Sequence, residues 1–287
     1  MSDKRQVKYP GNSLERLQEV QRELLGVFDR VCREQGLTYF IDSGTCLGAV
    51  RHGGFIPWDD DIDVGMPYDD YVRFLEIAPQ VLPDGYGLYT PDNNPNQAIF
   101  SAKLVKEGTC FSAGELKGND AHEGIFIDVF PYCRLDSNPK VAAKQVKTAR
   151  FWQSLSYLRH VRTPHIPKKA PFKPLLKAGC LVAHFTVAQL WSTPQMRDKV
   201  FRAFQDADGQ GNWTSVCYTA YGQHDDATLF PVKEVTFDDM RVFAPHDCDG
   251  YLRNHFGDYM TLPPEDERYT HAPAILDFGD GINVIEA

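Results

Sequence analysis

The chain has 287 residues, 43% of them hydrophobic and 24% charged, which is the composition of a globular protein with one large or two small cores. The formal net charge of −9 argues against a nonspecific nucleic-acid binder, because such a protein needs a basic surface to displace counterions from phosphates. Seven cysteines without a CxxC pair favour a reducing compartment over a disulfide framework or a zinc site, and the first residues lack the apolar core of a signal peptide. We therefore expect a cytoplasmic protein and no nucleic-acid partner.

The first half of the chain predicts one long helix followed mainly by strands. From Ser13 to Gln35 apolar residues recur every three or four positions, which is typical of an amphipathic helix, with Ser13 as its N-cap and Gly36 as its end. Further along, the pattern predicts a strand at 37–42, a glycine-bearing turn at 43–48, strands at 62–64, 98–105 and 124–130, and a helix opening near Pro67.

The second half of the chain becomes helical beyond Asn138 and returns to short strands near its end. Helices are predicted at 142–158, 175–190 and 196–204, with the Pro- and Lys-rich stretch 163–174 as a boundary or mobile loop. The most apolar stretch, 175–191, is short and polar for a bilayer span, so a buried or interfacial helix is expected there. The final predicted elements are strands at 232–237 and 240–243 and a helix at 249–255.

An acidic run at 59–63 is the first candidate for chemistry. If 61–63 forms a strand, the carboxylates of Asp61 and Asp63 point to one face, while Ile62 turns to the other and enters the core. Two carboxylates on one face repel each other unless a cation lies between them, and Mg²⁺, or Mn²⁺ in its place, takes such ligands together with substrate phosphates. Asp59 and Asp60 taken singly also fit a solvated turn, so we assign them a supporting role.

Two further features fit a phosphate-handling site. At a strand-to-helix turn, Ser43, Gly44 and Thr45 offer backbone N–H groups, a hydroxyl and a helix N-terminus, which together can hold a phosphate. Asp128 is a single charge within the apolar run 125–130, which is costly unless the carboxylate is paired or bound to metal. The alternative to a functional role is that Asp128 is a buried residue that caps a neighbouring turn, and we favour the functional role.

The order of these features resembles the polymerase-beta-like nucleotidyltransferase fold: a strand, a Gly-Thr turn, an Asp-x-Asp strand and a later strand with one Asp. The sequence is more closely similar to the LicD family of phosphocholine transferases, to which fukutin-related ribitol-phosphate transferases are also similar. The resemblance rests on the run 42–63, with further matches at 103–109, 127–131 and 251–271. It leaves the middle helical region without a matching motif, and Cys46 stands where the family usually has leucine.

The resemblance implies an α+β fold, with a mixed sheet and flanking helices in a polymerase-beta-like nucleotidyltransferase core plus a helical region. We accordingly divide the chain into a catalytic core at 1–135, a mainly helical region at 136–227 and a C-terminal segment at 228–287 that returns to the core. The resemblance also implies a CDP-alcohol donor, typically CDP-choline, and a glycan or lipid-linked glycan whose hydroxyl accepts the phospho-alcohol group. The protein's part in such phosphoryl transfer is to position the groups and to neutralise charge.

Site roles follow from the same resemblance. Asp61 and Asp63 would bind one or two metal ions, and Asp128 would complete the metal site or take the acceptor proton. Arg51 and Lys103 are candidates to contact the diphosphate, because a guanidinium fork and an ammonium both match phosphate oxygens. The expected substrate-binding set is Ser43, Gly44, Thr45, Arg51, Lys103, Arg268 and His271, with Asp59 and Asp60 as support.

Three alternatives remain open at the level of sequence. A sugar-nucleotide glycosyltransferase also uses an Asp-x-Asp with a metal, but such enzymes usually place several nucleotide-binding βα units before that motif. A non-catalytic homologue could keep the fold and bind nucleotide without turnover. Finally, Lys168, Lys169, Lys173 and Lys177 lie beside an apolar helix, where they form either a solvated basic loop or a peripheral contact with the inner face of an anionic membrane.

Overall fold

A computed structural model of the chain describes residues 9–112, 124–162, 172–219, 222–268, 270 and 273–286. It has an α+β architecture with a mixed sheet and flanking helices, which confirms the expected fold class at that level. The helices are α1 Ser13–Gln35, α2 Ser43–His52, α3 Tyr68–Val81, α4 Pro139–His160, α5 Lys173–Phe185, α6 Thr193–Gln205, α7 Asp226–Leu229 and α8 Cys248–Phe256. The strands are β1 Phe40–Ile41, β2 Asp63–Pro67, β3 Tyr86–Tyr89, β4 Ala102–Lys106, β5 Cys110–Ser112, β6 Ile125–Arg134, β7 Trp213–Ser215, β8 Lys233–Phe237, β9 Met240–Ala244 and β10 Ile275–Asp277.

The main sheet is centred on β6. Its strands follow the order β1-β2-β6-β4-β3, and β7 pairs with the last three residues of β6. The pair β2 and β6 is parallel, whereas β1 with β2, β4 with β6 and β3 with β4 are antiparallel. Two small antiparallel pairs, β8 with β9 and β10 with β5, complete the described strands. This parallel pairing therefore brings the start of β2 beside the middle of β6.

Helix α1 packs on the main sheet against β6 and β4. Its apolar face is buried as the spacing predicts, and burying each such side chain contributes roughly 1.5–3 kcal/mol. The helix ends at Gly36, whose positive φ of 62° places it in the left-handed region that favours glycine. The predicted N-cap is wrong by one residue, since Asn12 occupies that position and the Ser13 hydroxyl donates instead to the carbonyl of Pro10.

The segment 43–48 was expected to be a glycine-bearing turn and is instead the first half of α2, while β1 spans two of the six predicted residues. The Asp42 side chain starts the helix by accepting from the Ser43 N–H at 2.7 Å. Position 48, inside the helix, requires glycine because a Cβ there would lie 2.4 Å from the carbonyl oxygen of Gly54. This glycine serves the close approach of two segments and does not end the helix.

The middle region contains the helices that the pattern predicts, each longer or shifted by a few residues. Helix α4 is held to the main body where Gln153 and Ser156 both donate to the carbonyl of Ala98, at 2.9 and 2.7 Å. Helix α5 packs on α4 yet has no buried residue, so the expectation that this stretch forms a buried helix is wrong. The alternative expectation of an interfacial helix stays a prediction. Among the described helices, none has the length and apolar character to cross a bilayer.

Candidate active site

The parallel pairing of β2 with β6 brings two of the predicted carboxylates together. Asp63 and Asp128 are direct partners in this register, and the Asp128 N–H donates to the Ile62 carbonyl at 2.9 Å. On the other side of β6, Lys103 of β4 is the partner of Asp128. Because partner residues on neighbouring strands share a face of the sheet, the side chains of Asp63, Asp128 and Lys103 form one row across it.

The three aspartates that precede β2 gather beside this row. One carboxylate oxygen from each of Asp59, Asp60 and Asp61 lies within 4.8 Å of the others. The expectation that Asp61 lies on the strand is wrong, because β2 begins at Asp63 and Asp61 belongs to the loop before it. The Asp60 carboxylate is buried and accepts from the hydroxyl of Tyr9 at 2.7 Å. Asp60 is thus built into the protein, whereas Asp59 and Asp61 stay partly exposed.

The loop that carries these aspartates is anchored to α1. The side-chain amides of Gln18 and Gln21 donate to the carbonyls of Asp59 and Asp60, each at 2.8 Å. These bonds hold the backbone of the acidic loop and leave the carboxylates to face one another. The fixed geometry is what a ligand-binding loop requires.

The electrostatics of the cluster favour a bound cation. Burial raises the pKa of the Asp63 carboxyl well above its usual range, and the charges of Asp61, Asp128, Asp42 and Asp59 raise it further, in that order. A divalent cation between these groups would remove the repulsion, and an all-oxygen set of carboxylates is what Mg²⁺ or Mn²⁺ prefers. The residues present therefore fit such an ion: Asp59, Asp60 and Asp61 lie close enough to share one, and Asp63 and Asp128 lie beside them.

Asp42 is a member of the site that sequence reasoning did not single out. Its carboxylate is buried, accepts from the hydroxyl of Tyr132 at 2.9 Å and from the hydroxyl of Tyr251, and caps α2. Its backbone N–H donates to the Asp63 carbonyl at 2.9 Å, which ties the start of α2 to the start of β2. The available signal was an Asp at the end of an apolar run followed by a helix, which is typical of an N-cap.

The predicted phosphate-binding turn lies against the acidic loop, but some of its polar groups are engaged within the protein. The Ser43 N–H donates to Asp42 and to the Tyr251 hydroxyl, and the Thr45 hydroxyl accepts from the Asp63 N–H at 2.8 Å. A Cβ on Gly44 would lie 3.1 Å from a carboxylate oxygen of Asp59. The turn thus fixes the helix N-terminus against the aspartates, where the positive end of the helix faces negative charge.

A basic rim lies next to the acidic loop. Arg51 donates to the carbonyl of Tyr259 at 2.7 Å, and the guanidinium of Arg268 lies 4.4 Å from the ring centre of Trp58. Burial lowers the pKa of Arg51, the nearby charge of Arg268 lowers it further, and Asp59 opposes both effects. Two guanidiniums at one rim can together hold an anion such as a diphosphate.

The remaining predicted site residues are Lys103 and His271. The Lys103 ammonium lies 3.7 Å from the ring centre of Phe126, two residues before Asp128 on β6, so it sits on the same face of the sheet as the carboxylates. His271 lies outside the described residues. The structure therefore brings together the acidic and basic groups that the sequence placed far apart in the chain.

The amino-acid sequence matches a known protein family. Residues 36–176 match the model described as LicD/FKTN/FKRP, nucleotidyltransferase domain. The chain is 27% identical over 267 residues to the lipopolysaccharide cholinephosphotransferase LicD of Haemophilus influenzae, covering 90% of this chain and 96% of that protein. It is 39% identical over 61 residues to the human ribitol 5-phosphate transferase FKRP and 38% identical over 57 residues to the mouse ribitol-5-phosphate transferase FKTN, covering 12% of each of those proteins.

Proposed function

Because this chain belongs to the LicD family and is a transferase of phosphorus-containing groups, we propose that it moves a phospho-alcohol group from a CDP-alcohol donor to a glycan hydroxyl. Phosphocholine is the first candidate for the group, since a relative that aligns with 90% of the chain is a cholinephosphotransferase. The proposal includes a divalent metal and a nucleotidyltransferase-like core. The cytoplasmic location expected from the sequence stays a prediction, which fractionation of expressing cells would test.

The observation that carries the proposal is the juxtaposition of a carboxylate row with a basic rim. Asp63 and Asp128 are partners on neighbouring strands, and Asp59 and Asp61 lie beside them. Asp59 is also close enough to Arg51 to affect its pKa, so negative and positive groups meet within one site. A diphosphate donor needs both, because its phosphates require cationic partners and a metal bound by carboxylates supplies one.

The proposed reaction is an in-line displacement at phosphorus. The acceptor hydroxyl oxygen forms a bond to the phosphorus that bears the alcohol, the bond from that phosphorus to the bridging oxygen breaks, and CMP leaves with the electron pair. Arg51 and Arg268 would hold the diphosphate, and Asp128 would take the proton of the acceptor hydroxyl or serve as a third ligand. A divalent ion held by Asp61 and Asp63 would neutralise charge on the transferring phosphate.

The decisive experiment offers a panel of donors to the purified protein. CDP-choline, CDP-ribitol, CDP-glycerol and a UDP-sugar are incubated separately with simple glycosides as acceptors, and CMP or UDP release is measured with Mg²⁺, with Mn²⁺ and with EDTA. We expect CMP release that EDTA abolishes. Turnover of the UDP-sugar alone would establish the glycosyltransferase alternative, and donor binding without turnover of any donor would establish the non-catalytic one.

Matched variants test the site itself. Asp61→Asn and Asp63→Asn are each expected to lower kcat by at least ~10²-fold, because a neutral amide is a poor ligand for a hard cation. Asp84→Asn, an exposed aspartate in the turn between α3 and β3, is the control and should leave kcat unchanged. Full activity in Asp61→Asn and Asp63→Asn would show that the metal assignment is wrong.

A further inference from the structure

Helix α5 presents an apolar surface that the rest of the described protein does not cover. Leu175, Val182 and Phe185 are 72%, 62% and 60% exposed, and their spacing of seven and three residues places them on one side of the helix. Phe172 just before the helix and Leu190 after it are 79% and 66% exposed. We call these five residues the α5 face. Single exposed apolar residues are ordinary, but five in one short segment mark an interaction surface.

The opposite side of α5 is anchored, so the orientation of the α5 face is fixed by the fold. The His184 ring accepts or donates one hydrogen bond at 2.7 Å to the Leu158 carbonyl at the end of α4. The Gln189 amide donates to the His184 carbonyl at 2.8 Å and to the Arg159 carbonyl at 3.3 Å. The helix is thus held to α4 by its polar groups while its apolar groups point outward.

The charge around the α5 face differs from that of the chain as a whole. From Ser137 to Arg197 the sequence has eleven Lys and Arg residues and no Asp or Glu, although the protein carries a formal net charge of −9. Lys173 and Lys177 lie on α5 itself, and the Arg162 guanidinium is 5.6 Å from the ring centre of Phe185. At 100° per residue, Lys173 and Lys177 lie on the polar side of α5 with His184, while Arg162 lies beside Phe185 on the apolar side.

We propose that the α5 face docks on an anionic lipid bilayer, with its apolar side chains in the headgroup and upper acyl region and its basic residues on the lipid headgroups. A helix with an exposed apolar stripe on one side and Lys and Arg on its polar side has the pattern of helices that lie in a membrane interface. A second copy of this chain is a poorer occupant, because pairing two such faces would bring two basic regions together. The proposal goes beyond the proposed function, since binding to lipid does not require an intact active site.

The test is flotation of the full chain with vesicles of two compositions. We expect binding to vesicles of phosphatidylcholine with phosphatidylglycerol, little binding to phosphatidylcholine alone, and weaker binding as salt is raised. Lys173→Glu with Lys177→Glu should lower the partition coefficient by more than tenfold, since each basic residue lost near an anionic surface costs roughly fivefold. Val182→Ser with Phe185→Ser should abolish flotation by removing the buried apolar contacts.

Controls separate the α5 face from general effects of charge and hydrophobicity. Arg30→Glu on α1 and Ile282→Ser near β10 change exposed residues outside the region and should leave flotation unchanged. Circular dichroism shows whether each variant is folded, and sedimentation of the wild-type chain shows its oligomeric state. Equal binding to both vesicle types, equal loss in the controls, or a dimer that Val182→Ser with Phe185→Ser dissociates would each overturn the proposal. CDP-choline turnover is also measured in the variants that do not float. Because the proposed active site does not include the α5 face, turnover tests the proposed function separately from lipid binding.

Discussion

Replacing Gly48 by alanine should destabilise the protein even though alanine is the better helix former. Gly48 lies inside α2, and a Cβ at this position would be 2.4 Å from the Gly54 carbonyl oxygen and 3.1 Å from the Ile56 nitrogen. Both neighbours are backbone atoms, so no side chain can rotate away to make room. The loop that runs on to Asp59 must shift if the methyl group is to fit.

The expected magnitude follows from two opposing effects. Changing glycine to alanine in a helix interior gains about 1 kcal/mol. Overpacking against a fixed backbone costs about 1–3 kcal/mol, and the very short contact points to the upper end, so we expect a net loss of about 1–2 kcal/mol in the free energy of unfolding. Gly179 is the matched control, because it also lies inside a helix but has no heavy atom within 4 Å of a built Cβ. Gly179→Ala should gain about 0.5–1 kcal/mol.

Urea unfolding of the two variants and the wild type measures both changes. We expect the midpoint to fall for Gly48→Ala and to rise for Gly179→Ala, with little change in slope. Because the displaced loop carries the aspartates, CMP release should fall in Gly48→Ala and stay unchanged in Gly179→Ala. If Gly48→Ala were as stable as Gly179→Ala, the close approach of α2 to the loop would not exist in solution.

Three further predictions concern the site and its support. Asp63→Asn should abolish the rise in melting temperature that Mg²⁺ or Mn²⁺ gives the wild type. It should not lower the melting temperature measured without metal, because burial and neighbouring charges raise the pKa of this carboxyl and so already disfavour its charged form. Persistence of the metal effect would contradict the assignment. Burial lowers the pKa of His224 to about 4, whereas an unfolded histidine has a pKa of about 6.5, so protonation at low pH favours the unfolded chain. The contribution of neutral His224 to stability is therefore full above about pH 6.5. It is lost as the pH falls toward 4, by about 2 kcal/mol between pH 7.5 and 5. A His224→Asn variant should lack this part of the pH dependence in urea titrations, and an unchanged dependence would count against it. Tyr251→Phe should cost about 1–3 kcal/mol in the free energy of unfolding by removing a donor from the buried Asp42, whereas Tyr86→Phe, at a more exposed hydroxyl, should cost less than about 1 kcal/mol.

Elements with strong apolar periodicity could be predicted from the sequence. The bounds of α1 follow from its spacing and from Gly36, and the hairpin of β8 and β9 follows from two short alternating runs. The segment 43–48 could not be assigned by local pattern, because its glycines suggest a turn while Asp42 and the packing against Gly54 make it a helix. Short strands such as β3 and β7 carry too little local signal, and pairing with longer neighbours is what defines them.

The candidate site could be predicted in its members better than in its geometry. The Asp-x-Asp pattern identified Asp61 and Asp63, but only the register of β2 with β6 pairs Asp63 with Asp128. The local pattern marks Asp42 as an N-cap, but its bonds to two tyrosines from distant parts of the chain lie outside any local pattern. Likewise, the exposure of α5 could not be predicted from its sequence, because an apolar sequence by itself predicts burial. Whether the helix is buried depends on which other elements pack over it.

The bond from Arg51 to Tyr259 has a consequence for how the protein is made. Ribosomes deliver the chain from its N-terminus, so the carboxylates of β2 and β6 leave the exit tunnel well before the residues that brace them. Tyr251 and Tyr259 follow Asp42 and Arg51, the residues with which they bond, by 209 and 208 residues. A nascent chain halted in the middle helices would therefore hold the acidic cluster and Tyr132 but would lack Tyr251 and Arg268. Competence to bind a nucleotide should appear abruptly, late in translation, and stalled chains of graded length would record the moment.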